Sequence, residues 1–415
     1  MKRNQEMTTN ATGAGPLAHI KVLDLTIARA GPTCVRVLAD YGAQVIQVVR
    51  PEQSGLEGGL PGFDRENLHR NKRSIAINLQ TDAGRDVFYR LARDADVVVE
   101  NFRADVKHRL KVDYETLKAI NRRIVYGSNS GFGQDGPYRS RPGVDQIAQG
   151  LGGLMSITGP PGGGPWRVGI PISDLCAGLY LAHGIMAALI ERERSGEGQW
   201  VQTSLLEAMI AMLDFQATRW LIGGAVPPQA GNDHPTSFPM GVFPAKDGMV
   251  NIAAAGDRMF LDFLRVIGAE DLAQDERFRT RQARASHRPE LRALVEERTR
   301  TWACEALIEA LNAVGVPCGP ILTIDQVFEN PQVQHLALAQ TVESERYGTL
   351  KIIRSPVRLS RTSTSLRRVA PAPGADTDVV LKDYGYTPEE ISALKASSVV
   401  GIDPIAVDNG KRRSK

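Results

Sequence analysis

One carboxylate stands out for its setting. Asp174 follows the segment Gly169-Ile170-Pro171-Ile172-Ser173 and opens a long, mostly apolar run that continues to about Arg194. At the head of a helix such a group can accept free backbone N–H groups as an N-cap, which contributes about 1 kcal/mol. With an ordinary pKa near about 3.9 it is also ionised at neutral pH without a partner base. It can then attack an activated acyl carbon and form a covalent intermediate. Sequence context alone leaves both roles open. A second set of residues has the chemistry of an anion site: Arg29, Arg50 and the run Asn101-Phe102-Arg103 each follow a short apolar stretch. Guanidinium groups suit phosphate or carboxylate, and the Phe102 ring could stack on a base.

The surrounding pattern says what must position these residues. Ile20–Leu25 predicts a strand, Thr33–Tyr41 a helix with Val35, Leu38 and Ala39 on one side, and Val45–Val49 a second strand. Strand, helix and strand within thirty residues make a βαβ unit and imply a parallel sheet. The alternation continues through strand Ser74–Asn78, helix Ala83–Ala92, strand Asp96–Glu100, helix Tyr114–Asn121 and strand Ile124–Ser128. The expected fold class is α/β, a Rossmann-like doubly wound parallel sheet. Such sheets bind ligands beyond the carboxyl ends of their strands, where Arg29, Arg50 and residues 101–103 fall.

Beyond the sheet pattern, glycine and proline crowd the stretch Gly127–Gly164, which reads as a functional loop or a plain connector. The helix from Asp174 to about Arg194 and another over Ser204–Leu213 follow. Clustered Gly and Pro over 223–248 then read as a linker. Strand Met249–Ala254, helix Arg258–Ile267 and a single helix Pro289–Ala310 come next, and Gly315–Pro320 closes that unit. Strand Thr349–Ile353 and helix Pro388–Lys395 finish the pattern. The expected organisation is a large discontinuous domain over 17–222 and 340–405, a smaller α/β domain over 225–330, and disordered tails at 1–16 and 406–415.

Several function classes drop out. The first strand-to-helix turn, Thr26–Pro32, lacks G-x-G-x-x-G, and the chain has no P-loop and no G-x-S-x-G elbow. The chain's 50 Lys+Arg against 47 Asp+Glu leave a net charge of +3 over 415 residues. That is no field for non-specific nucleic-acid binding. The basic end Lys411–Lys415 reads as a solvated terminus. The cysteines Cys34, Cys176, Cys304 and Cys318 form no C-x-x-C pair, so no metal site is expected, and they suit a reducing compartment. The start lacks a signal core, and the apolar stretch Leu175–Ile190 looks too short and interrupted to span a bilayer. A soluble cytoplasmic protein, with no membrane or nucleic-acid partner, is expected.

The ordered segments KVLDLT with the following GP, LADYGAQVIQVVRPE, NKRSIAINL, DVVVENFR, YGSNSGFGQDGP, RPGVDQIAQGLGGLMSITG and SDLCAGLYLAHGIMAALIERERSGEGQ resemble the class III CoA-transferases. This is the CaiB/BaiF family, which includes the formyl-CoA and carnitine CoA-transferases. GNDHP, KDGMV, GVPCGPI and LKDYGYTPEEI continue the resemblance, which spans roughly 17–400.

The resemblance implies transfer of CoA from an acyl-CoA donor to a free carboxylic acid, with Asp174 as the nucleophile and CoA a substrate rather than a permanently bound cofactor. It implies CoA contacts at Arg29, Ala30, Arg50, Ile77, Asn78, Leu79, Gln80, Asn101, Phe102, Arg103 and Arg109, and acceptor contacts at Val144 and Asp145. It also implies an intertwined homodimer, and the overall flavour is closer to members that use succinyl-CoA and small dicarboxylates. The chain departs from the family pattern at Gln80, Pro142 and Val144. Two alternatives are a racemase of the same fold and a non-catalytic CoA-binding protein. The racemases carry His where this chain has Val144, and valine cannot exchange a proton. The loop Gly159–Gly164 is a candidate for closing over the site.

Overall fold

The computed structural model describes residues 15–51, 62–344, 347–364 and 366–401. Contacts divide the chain into two units. The first combines residues up to Gly152, Gly169–Asp214 and the segment from Leu336; the second combines Gly153–Val168 and Phe215–His335. Residues 153–168 and 215–222, expected with the large domain, thus belong with the second unit. The expected tails lie outside the described residues except at 15–16, where Gly15 is buried and the Ala18 N–H bonds its carbonyl.

The first unit is built on a six-stranded sheet of β1 (Lys21–Asp24), β2 (Gln44–Val49), β3 (Lys72–Ala76), β4 (Val97–Glu100), β5 (Val125–Ser130) and β6 (Trp200–Ser204). Every pairing is parallel, in the order β3-β2-β1-β4-β5-β6. The order reverses between β1 and β4, which opens a crevice at the carboxyl ends of those strands. β4 shows how the sequence builds this. Val97 and Val99 join one core layer and Val98 the other, as the two-residue period of a strand buried on both faces requires.

Helices α1 (Ala30–Asp40), α2 (Phe63–His69), α3 (Asp82–Arg93), α4 (Tyr114–Ile120), α5 (Asp145–Leu151), α6 (Ile172–Ser195) and α7 (Leu205–Met212) surround the sheet. Val87, Phe88 and Leu91 of α3 and Leu117 of α4 cover one face, together with Val380, Leu381 and Ile391 from the end of the chain. Val35 and Leu38 of α1 and Leu181 and Ile185 of α6 cover the other. The free edge of β3 is closed by the returning chain: the Ser74 N–H bonds Asp376 at 2.8 Å and the Ala76 N–H bonds Thr377 at 3.1 Å. α6 lies within two residues of its expected bounds. At 24 residues it is long and apolar enough to cross a membrane, but half of its most apolar stretch is buried inside the protein.

The second unit has a three-stranded antiparallel sheet (Met240–Pro244, Met249–Ala253, Cys318–Pro320) covered by helices. The single helix expected over Pro289–Ala310 is two, Arg288–Thr299 and Cys304–Ala313. The break is pinned from outside, by Lys246 N–H bonding the Trp302 carbonyl and Cys304 N–H bonding Asp247 at 2.7 Å. The glycine loop of 159–164 is tied within this unit, where the Gln229 amide donates to the carbonyls of Thr158 and Gly164.

Candidate active site

A cavity of about 530 Å³ lies at the carboxyl ends of β1 to β4, within the range of small-molecule sites. Arg50, Ile77, Asn78, Leu79, Gln80, Asn101, Phe102, Arg103 and Arg109 all line it, joined by Leu25 and Ile27 after β1 and by Asp105, Val106 and Leu110. Nine of the eleven expected CoA contacts therefore share one wall, and the three arginines among them stand exposed around it. Arg29 and Ala30 are placed elsewhere. Arg29 precedes α1 and pairs with Asp64 of α2 at 2.6 Å. Ala30 is buried in a cluster of small and apolar residues with Ala148, Cys176 and Ala177.

The loops that form the cavity are shaped by their own polar side chains. The Asn78 side chain accepts the Gln80 N–H at 3.1 Å, and Thr81 caps α3 through the Gly84 N–H at 3.0 Å. After β4, the Phe102 N–H donates to Glu100 at 2.7 Å. Glu100 is buried, with Lys107 at 3.1 Å and the Ser128 hydroxyl on its other oxygen. Burial raises its carboxyl above the usual range, while Lys107 pulls it back. Asn101 holds the β1–α1 turn by two bonds to Ile27, next to Ala28 in the left-handed region at φ 58°.

Asp174 is not the N-cap. Pro171 holds that position, and Asp174 sits in the first turn of α6. Its environment differs from an exposed carboxylate: burial, then the negative charge of Asp145, push its carboxyl up to about 6, and Arg29 opposes them. α6 approaches α1 closely here. A Cβ at Gly178 would stand 2.5 Å from the Ala30 carbonyl oxygen, so only glycine fits one turn beyond Asp174. Asp174, Val144 and Asp145 are not among the residues that line the cavity; the Ile27–Ala30 turn runs from the cavity wall at Ile27 to Arg29, whose charge acts on Asp174.

Val144 is exposed at the start of α5, and Asp145 is buried beside the start of α6. Among the described residues, no group of three or more His, Cys, Asp and Glu side chains is placed to hold a metal ion.

Sequence reasoning missed a buried network beneath the site. Lys72 and Asp24 are fully buried and paired at 2.8 Å, and His69 lies 3.2 Å from the Lys72 ammonium. Asp24 also accepts the N–H and hydroxyl of Thr26 at the mouth of β1. The signal was present, because a charge inside an apolar strand must find a partner. Both KVLDL and DVVVE carry one.

A doubly wound α/β unit with a cavity at its switch point, bordered by Arg50, Arg103 and Arg109, suits an anionic, nucleotide-sized ligand. The model of CoA-transferase family III matches residues 17–377, and the chain belongs to that family. It is 38% identical over 390 residues to a succinate–glutarate CoA-transferase of Agrobacterium fabrum, covering 91% of this chain and 98% of that one. It is 33% identical to the human succinyl-CoA:glutarate CoA-transferase, covering 93% and 90%. Among solved structures, a CaiB/BaiF family protein from Brucella suis superimposes with a TM-score of 0.78 at 36% identity, over 89% of this chain and all of that one. The chain is an enzyme that moves CoA from an acyl-CoA donor to a free carboxylic acid.

Proposed function

We propose that this enzyme transfers CoA from succinyl-CoA to a small dicarboxylate through covalent intermediates on Asp174. The observation that carries the chemistry is the half-buried Asp174 carboxylate in the first turn of α6, where burial and then Asp145 raise its pKa to about 6 against the pull of Arg29. It is mostly ionised at neutral pH yet poorly solvated, as a carboxylate nucleophile needs. Relatives named for succinyl-CoA, glutarate, mesaconate and citramalate support the substrate class.

In the first step an Asp174 oxygen attacks the donor's thioester carbonyl, the C–S bond breaks, and CoA leaves as thiolate. The thiolate attacks the aspartyl carbonyl of the resulting anhydride, releasing the donor acid and leaving an aspartyl-CoA thioester. The acceptor carboxylate then displaces CoA to form a second anhydride. CoA attacks its acyl carbonyl, giving the new acyl-CoA and restoring Asp174. No proton is taken up or released in this cycle, so the enzyme needs an ionised carboxylate and exclusion of water rather than an acid–base pair. Arg50, Arg103 and Arg109 hold the CoA phosphates, and Phe102 packs on the nucleotide.

The working form is a homodimer. Leu179, Tyr180 and Ile190 on α6 and Ile210 and Met212 on α7 expose apolar surface, which supports burial against a second copy.

The test is hydroxylamine trapping and peptide mass spectrometry after incubation with succinyl-CoA. A modified peptide containing Asp174, lost in Asp174→Ala together with at least about 10³-fold of the activity, is expected. Normal transfer by Asp174→Ala would overturn the mechanism. Absence of transfer from succinyl-CoA to a panel of dicarboxylates would overturn the substrate assignment.

A further inference from the structure

Asp145 and Gln149 form a buried fixture at the head of α6 that the transfer chemistry does not use. The α6 start has an unusual need. Its N-cap is Pro171, which has no side-chain acceptor, and no side-chain cap bond is made there. The first-turn N–H of Ser173 goes instead to Asp145 Oδ1 at 2.9 Å, and the Ser173 hydroxyl donates to the same oxygen at 2.8 Å. The other oxygen accepts from Gln149 Nε2 at 2.8 Å, and that amide also reaches the Ile170 carbonyl at 3.3 Å. Asp145, Gln149 and Ser173 are all buried. A cap that a helix cannot supply from its own preceding residue is supplied by the first residue of another helix.

We propose that Asp145 is the positioning residue of this enzyme: it caps α6 from α5, braced by Gln149, and so fixes the turn from which Asp174 reacts. This inference rests on the reading of Asp174 as the nucleophile. It assigns Asp145 a different role from acceptor binding, because both its oxygens already hold protein donors. Among the described residues, the ionisable groups around the head of α6 include Asp145, Arg29 with its partner Asp64, Glu207 of α7, which Ser204 holds at 2.7 Å, and Cys176, whose thiol is pushed up by burial and then by Asp145. Of these, Asp145 and Arg29 act on Asp174, so the cap also contributes a negative charge beside the nucleophile.

Asp145→Asn keeps an acceptor for Ser173 but turns an amide donor toward the Gln149 donor. Asp145→Asn/Gln149→Glu reverses that bond and restores a local negative charge, while giving up the longer bond to the Ile170 carbonyl. The expected result is a fall in kcat of about 10- to 100-fold for the single variant, with KM for succinyl-CoA and acceptor within about threefold. The acid limb of its kcat profile moves to lower pH. The double variant recovers part of kcat and returns the limb. Ser173→Ala, which loses only the hydroxyl bond, gives a smaller fall and serves if Asp145→Asn does not fold. Wild-type kcat and acid limb in Asp145→Asn, or a raised acceptor KM at unchanged kcat, would overturn the proposal. Trapping on the unmodified enzyme separates the two readings. An Asp174 adduct beside unperturbed Asp145→Asn kinetics overturns only the positioning role, whereas no adduct overturns the nucleophile reading and this inference with it.

Discussion

Asn101 and Ile27 close a two-bond ring: the Asn101 amide donates to the Ile27 carbonyl at 2.7 Å and its oxygen accepts the Ile27 N–H at 2.8 Å. The side chain comes from the end of β4 and the main chain from the end of β1, so the ring spans the point where strand order reverses. It holds the turn that carries Ile27 into the cavity and Arg29 toward Asp174, and Ala28 within it occupies the left-handed region. A backbone in that region persists only where its surroundings hold it.

Asn101→Ala removes both bonds at once. Two net hydrogen bonds correspond to about 1–3 kcal/mol of stability, and the released turn should raise the KM for acyl-CoA about 10-fold. Asn101→Asp keeps the acceptor but turns a charged oxygen onto the Ile27 carbonyl, so it should cost at least as much as Asn101→Ala. Steady-state kinetics with both variants checks this; an unchanged KM in Asn101→Ala would show that the ring does not position the cavity wall.

The three cavity arginines make a separable prediction. Arg50→Ala, Arg103→Ala and Arg109→Ala should each raise the KM for acyl-CoA several-fold, leaving kcat nearly unchanged, because in the proposed binding mode they hold a part of the donor that does not react. The same variants assayed with an acyl-pantetheine donor, which lacks the nucleotide and its phosphates, should match the unmodified enzyme. Equal losses with both donors would place the arginines' effect elsewhere than on the phosphates.

Much of this site was legible from strand ends. A run such as DVVVE, apolar on both faces, announces a buried parallel strand, and the residues after it must emerge at the crevice; that is why nine expected contacts share one cavity. Other parts left no local trace. β6 reads WVQTS, only partly buried, and has no continuous apolar run. α5 begins within a glycine-rich stretch that looks like loop. Asp145 stands 28 residues from Ser173, and nothing in either neighbourhood states that they meet. Asp174 beside an apolar run reads naturally as a cap, and only the position of Pro171 shows that it is not one.

The Asp174 environment sets a stability trade-off. A carboxyl raised from 3.8 to about 6 in the folded protein binds protons more tightly there than in the unfolded chain. Its ionisation therefore destabilises the fold above pH 6, and this penalty is absent below about pH 4. Asp174→Asn should be more stable than the unmodified enzyme at pH 7.5 by about 1–2 kcal/mol, once solvent access is allowed for. The gain should vanish by pH 4 while transfer activity is lost throughout. Thermal melts across that range measure it, and a variant less stable at pH 7.5 would refute the strained-carboxylate account.

Transfer by the unmodified enzyme should follow the same ionisation. In the proposed mechanism only the deprotonated Asp174 attacks, so kcat should fall as pH drops through about 6. A limb near pH 4 would mean that the bound enzyme relieves the burial and the Asp145 charge that raise this group.

The network below the site supplies the last prediction. His69 is buried, and burial followed by the Lys72 charge drives its pKa well below the usual value. Folded His69 is neutral, so near pH 6 only the unfolded chain takes up that proton, and stability must fall as pH drops below about 6.5, by at most about 1.4 kcal/mol per unit. His69→Gln should flatten this slope between pH 6.5 and 5. Lys72→Met should act differently. It strands Asp24 as an unpaired charge in a fully buried position, at a cost of about 3–5 kcal/mol. Adding Asp24→Asn should recover much of that loss, because the buried charge is then gone. Urea titrations of the three variants decide the matter. If Lys72→Met is as destabilised with Asp24→Asn as without it, packing around the lysine stem, and not the ion pair, holds the carboxyl end of β1 in place.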